Sequence, residues 1–119
     1  MLLADDARWP WLIVVPMVPK VVDIHDLSEA HLRILMKVAS NCSRTLSAMD
    51  RACTGTNVAT LGNVVDQFHL HVVARRPGDP NWPGPVWGFG EAVPRGDVDA
   101  FVGAFEDAYD RVVPPLDRV

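Results

Sequence analysis

Val65-Asp66-Gln67-Phe68-His69-Leu70-His71-Val72-Val73-Ala74-Arg75 alternates in character with a period of two. That period predicts a β-strand over 65–75. Phe68, Leu70, Val72 and Ala74 share one face, fit for a core. Gln67, His69 and His71 share the other. Alternate side chains on a strand stand roughly 6.6 Å apart, so two imidazoles and a carboxamide form a short row on one side of a sheet. His-x-His in such a place has three readings: a polar sheet surface, two ligands of a metal site, or a catalytic row. A metal site needs a third ligand. His25, His31 and several carboxylates are available, but none at a recognisable spacing. The catalytic reading rests on imidazole chemistry, because the ring can attack, donate or take up a proton near neutral pH.

The segments next to this stretch place it in a sheet. Leu61-Gly62-Asn63 turns the chain toward it, and Thr56 to Thr60 reads as a short strand. A Gly-Asn turn offers backbone N–H groups and a carboxamide, donors that suit a phosphate; it also serves as an ordinary tight turn. Further upstream, Trp11 to Val15 is β-branched and aromatic and stops at Pro16, which predicts a strand buried on both faces. Leu2-Leu3 leads through Asp5-Asp6-Ala7-Arg8, a strand end and a turn. Between the strands, Ser28 is positioned as an N-cap. Leu32, Leu35, Met36, Ala39, Cys42, Leu46 and Met49 recur mostly at three and four residues, so an amphipathic helix should run to about Arg51 with this stripe across the sheet. Arg33, Lys37, Asn41, Arg44 and Arg51 take its solvent face. His25 and His31 read as surface residues.

Downstream of Arg75 the composition changes. Residues 76–94 hold five prolines and four glycines, with Trp82 and Trp87 among them, and no regular element tolerates that mixture. A loop this long inside a compact unit tends to be functional or interfacial; its tryptophans can cover a ligand, pack across a dimer or simply anchor the loop. Asp97 is placed to cap a second helix, about 97–112, whose apolar face is Val98, Phe101, Val102, Phe105, Ala108, Tyr109 and Val112. The expected architecture is α+β: a mainly antiparallel sheet, one long amphipathic helix packed on it and a C-terminal helix.

The chain has 119 residues, which suits a single domain over 1–119 with its core at about 2–75. A net charge of −4 argues against a general grip on nucleic acid. Cys42 and Cys53 are too few for a disulfide framework and match no zinc spacing; two reduced thiols suit the cytoplasm. The longest apolar run, Trp11 to Val18, contains a proline and falls far short of a membrane span. Asp5 and Asp6 occupy the place of a signal peptide's basic region.

Leu61-Gly62-Asn63-x-x-x-Gln67-Phe68-His69-Leu70-His71-Val72-Val73, followed by Trp82-Pro83-x-Pro85-Val86-Trp87-Gly88, resembles the histidine triad (HIT) family. The likeness is to a bacterial branch whose first triad histidine is glutamine. Arg8 to Pro16 and Asp26-Leu27-Ser28 look like the same family's earlier elements. The resemblance implies a nucleotide-binding α+β fold, usually a homodimer, acting at the α-phosphorus of nucleoside phosphates. It puts the nucleophile on His69, a phosphate contact on His71 and the first triad position on Gln67. Attack by a neutral imidazole would give a nucleotidyl-imidazole that water then cleaves. His71, Asn57, Gly62 and Asn63 can supply phosphate donors; no metal or other cofactor is required. The family's base and ribose pocket would bring Asp5, Asp6, Trp9 and Trp11 into range, with Trp87 as a cover. A carboxylate accepting from ribose hydroxyls and a solvated Asp-Asp turn both fit Asp5 and Asp6.

Gln67 cannot take up a proton as a histidine can, though its carboxamide still donates and accepts. That leaves a nucleotide-binding module with little or no turnover as one alternative, and a small metal-binding protein using His69 and His71 as another. Family members also carry more chain ahead of the part matching Leu2 to Asp6. A sheet without those first elements would expose unpaired backbone or pair with another chain.

Overall fold

The computed structural model describes residues 1–119. In chain order the elements are β1 (Leu2–Leu3), β2 (Trp11–Val14), α1 (Glu29–Met49), β3 (Gly55–Ala59), β4 (Leu70–Arg75) and α2 (Val98–Val112), with short 3-10 turns at Ile24–Asp26 and Pro115–Asp117. The strands form one sheet in the order β1-β2-β4-β3, and every pairing is antiparallel. The α+β expectation holds.

One face of the sheet carries the main core. Leu12 and Val14 of β2 join Leu70, Val72 and Ala74 of β4 and the preceding Phe68. Against them lie Leu35, Ala39, Cys42 and Leu46 of α1, and Phe101 and Phe105 of α2. Helix α1 starts where Ser28 accepts a hydrogen bond from the His31 N–H. Packing trims its expected stripe: Met36 is exposed, while Asn41 is buried. Asn41 belongs inside because its Nδ2 donates to the Asp117 carbonyl, so its carboxamide ties the C-terminal turn to α1. Asp97 does not cap α2 with its side chain; its carboxylate pairs with Arg95 instead.

Two strand expectations are corrected. β4 begins at Leu70, not Val65. β2 ends at Val14, opposite Leu70, and β3 ends at Ala59, opposite His71. Residues 65–69 therefore have no ladder to join, and Phe68 N–H bonds to the Val21 carbonyl in the connection that follows β2. β2 is not buried on both faces either. Leu12 and Val14 are buried, but Trp11 and Ile13 are only half-buried.

The second face is covered by the 76–94 segment, which contains turns but no helix or strand. Trp9, Val73 and Val86 form a small separate core there, flanked by Trp11 and Trp87. Buried Arg75 holds the segment down. Its Nε and Nη2 donate to both Asp79 oxygens, Nη2 also to the Gly84 carbonyl, and Nη1 to Asn57 Oδ1. Burial works to raise the Asp79 carboxyl, but hydrogen bonds from Arg75 and the Arg76 N–H outweigh it and hold the group below the usual carboxylate range.

Candidate active site

Directly opposed residues of an antiparallel sheet share a face. His71 lies opposite Ile13 and Ala59, while Trp11 and Asn57 lie opposite Val73. Trp11 and His71 are therefore diagonal neighbours on one face, a separation that an indole can bridge. It does so: Trp11 Nε1 donates to His71 Nδ1 at 3.0 Å. His71 is nearly enclosed by rings. Its centroid lies 5.6 Å from Trp11, 5.7 Å from Trp87 and 5.1 Å from His69. It is 7% exposed. Burial, with the neighbouring His69 adding to it, pushes its pKa down to about 4. His71 is a neutral ring at pH 7.

His69 stands just before the strand and is partly open to solvent. Its Nδ1 lies 2.8 Å from the Gln67 carbonyl oxygen. A carbonyl can only accept, so Nδ1 carries the proton and Nε2 keeps a free lone pair. Gln67 thus contributes to the cluster through its backbone. Its carboxamide does not complete the row: the side chain is exposed, and Nε2 donates to the Pro16 carbonyl at 3.4 Å. With no partner strand at 65–69, nothing forces Gln67 into the orientation that strict alternation predicts.

His69, His71, Trp11 and Trp87 converge. The other expected site residues are placed differently. Asn57 shares the sheet face but spends its Oδ1 on Arg75. Gly62 and Asn63 lie in the connection between β3 and β4, and no hydrogen bond joins either to the histidines. Asp5 accepts from the Arg95 N–H. Asp6 is buried, accepts from the Arg8 guanidinium and the Val93 N–H, and is held below the usual carboxylate range mainly by Arg8. Both aspartates fasten the returning 93–95 chain to the turn after β1. Arg95 completes that fastening by donating to the Asp6 and Trp9 carbonyls.

Sequence reasoning missed the Trp11–His71 bond and the role of the Gln67 carbonyl. The first was readable only with the β2–β4 register in hand, and a backbone acceptor leaves no trace in side-chain identity. For a metal, the one group of three potential ligand side chains is Asp23, His25 and Asp26, all exposed. Asp26 already accepts from the Val22 and Asp23 N–H groups, and the His69–His71 pair has no third ligand beside it. A cavity of about 740 Å³ lies between β1, α1 and α2; it is mainly apolar and excludes both histidines.

The chain is similar to known proteins over most of its length. The HIT domain family model matches residues 1–78. A histidine triad protein from Bradyrhizobium japonicum is 39% identical, with a TM-score of 0.84 over 90% of this chain and 81% of that one. One from Sinorhizobium meliloti 1021 is 38% identical, with a TM-score of 0.81 over 92% of this chain and 79% of the other. A third, from Marinobacter aquaeolei VT8, is 37% identical, with a TM-score of 0.78 over 92% and 81%. No curated protein matches the chain.

Proposed function

The chain belongs to the histidine triad (HIT) family, and from that premise we propose that it is a hydrolase or transferase of nucleoside phosphates with His69 as nucleophile. One observation carries the reading: the Gln67 carbonyl accepts a hydrogen bond from His69 Nδ1–H, which leaves Nε2 with its lone pair. That lone pair attacks the α-phosphorus, and an Nε2–P bond forms as the bond to the leaving group breaks. The leaving group departs with the bonding electrons. Water then attacks phosphorus, the Nε2–P bond breaks, Nε2 recovers its lone pair and a proton goes to solvent. Neutral His71 stabilises charge on the phosphate oxygens as a hydrogen-bond donor. Trp11 and Trp87 wall the site, and neither Asp5 nor Asp6 is needed for these steps.

Gln67 holds no acid group, so a leaving group that needs a proton must take it from water. Phosphoanhydrides should therefore be cleaved in preference to phosphoramidates with basic amine leaving groups. The engagement of the Gln67 carboxamide with the Pro16 carbonyl also favours a second reading, a nucleotide-binding module with little turnover. The two separate on incubation with a dinucleoside polyphosphate or an AMP-amidate, with and without chelator. Release of nucleoside monophosphate that survives chelation and vanishes in His69→Ala supports the enzyme, as does a nucleotidyl adduct on His69 by mass spectrometry. Binding without release supports the module. The free thiols Cys42 and Cys53 support a reducing, cytoplasmic setting, and no helix is long and apolar enough to cross a membrane. We also propose a homodimer, formed along the free edge of β3.

A further inference from the structure

An indole N–H can donate but never accept. In the 3.0 Å contact between Trp11 Nε1 and His71 Nδ1, the imidazole nitrogen must therefore be the bare one. The single proton of the neutral ring then sits on Nε2. We propose that Trp11 is a positioning residue for the reaction: its N–H locks His71 in the Nε2-protonated tautomer, so that His71 meets a phosphate as donor only. The tautomer follows from the contact itself; its use toward phosphate rests on the nucleotide reading above.

The opposite tautomer would matter. With the proton on Nδ1, His71 would turn a lone pair toward negatively charged oxygens. A free imidazole populates both forms, and burial alone does not choose between them. The neighbours leave the choice to Trp11. From its own stretch of chain the only ionisable group against His71 is His69, just before β4. From β2 come Trp11 and Ile13, from β3 comes Ala59, and from the 76–94 segment comes Trp87. The Trp87 indole nitrogen is buried without a partner, so it does not compete for Nδ1.

The two histidines are thus set as complements by different devices. A backbone carbonyl accepts from His69 Nδ1–H, which keeps the ring's proton there and bares Nε2. A tryptophan bares Nδ1 of His71 and leaves its proton on Nε2. One ring is an electron-pair donor, the other a proton donor, and neither assignment needs an ionised group.

Ring-nitrogen NMR on 15N-histidine-labelled full-length protein tests this. The expected spectrum shows His71 with a bare Nδ1 and a protonated Nε2 from pH 8 down to pH 5. A proton on Nδ1, or a doubly protonated ring at pH 6, overturns the proposal even if no variant folds. In Trp11→Phe, which keeps a ring but loses the donor, His71 should become a mixture of tautomers and titrate at higher pH. An unchanged tautomer overturns it. With a substrate the wild type turns over, Trp11→Phe should lower kcat/KM about tenfold, as loss of one oriented donor does, and add nothing in a His71→Ala background. Equal losses in both backgrounds overturn it. If wild type turns nothing over, the hydrolase reading fails while the spectrum still decides which tautomer Trp11 imposes on His71.

Discussion

His71 is the side chain whose protonation the fold works hardest against, and this has a consequence for stability. Its pKa falls from an ordinary 6.5 to about 4 on folding. Between those values the unfolded chain binds a proton that the folded chain does not, so stability rises with pH across that window. It is fully present above about pH 6.5 and lost progressively as pH falls toward 4. Asp6 and Asp79 are lowered as well, but from a carboxylate value of 3.8, so their stabilisation fails only in stronger acid. Acid weakening between pH 6.5 and 4 therefore belongs largely to His71. Urea titrations should show wild type losing about 1–3 kcal/mol from pH 7.5 to 4.5. His71→Gln should lose much less over the same interval. Equal losses in the two proteins would assign the acid sensitivity elsewhere.

At the level of elements, the histidine strand and the segment after it differ in what the sequence could disclose. Phe68, Leu70, Val72 and Ala74 all enter the core as alternation predicts, because a period of two is a property of the backbone itself. The strand's start was hidden, because it depends on where β2 and β3 end. The orientation of Gln67 was lost with it. For the 76–94 segment, proline and glycine content disclosed the lack of regular structure but not what fixes it. That is the Arg75–Asp79 pair, whose side chains are 3% and 4% exposed. The partners of Asp5 and Asp6 were hidden for a similar reason: of Arg8, Val93 and Arg95, the last two lie some ninety positions away in the chain. Removing one partner of a buried ion pair strands the other charge. Asp79→Ala should cost about 3–5 kcal/mol in chemical denaturation and raise the mobility of Trp82 and Trp87 in fluorescence quenching. A cost below about 1 kcal/mol, the range of exposed pairs, would show that Arg75 does not hold the segment in place.

For the molecule as a whole, the sheet has two ends and they are not equivalent. β1 is only two residues long, while β3 offers five along a free edge. A free edge of that length is a template for another strand unless charge or proline blocks it, and Gly55-Thr56-Asn57-Val58-Ala59 contains neither. The strand and the chain beyond it expose apolar side chains: Val58 is 44% exposed, Leu61 41%, Val64 92% and Val65 57%. Four large apolar residues beside an unpaired edge suit a second copy, whose own β3 can run antiparallel to the first across a two-fold axis. The same segment leads into Gln67 and His69, so dimerisation would steady the nucleophile's approach to the strand. Light scattering at micromolar concentration should return twice the monomer mass. Val65→Asp, which puts a charge beside that edge, should shift the mass toward the monomer while leaving the far-ultraviolet circular dichroism unchanged. A monomeric wild type would remove the homodimer proposal. A Val65→Asp protein that stays dimeric would move the interface away from β3.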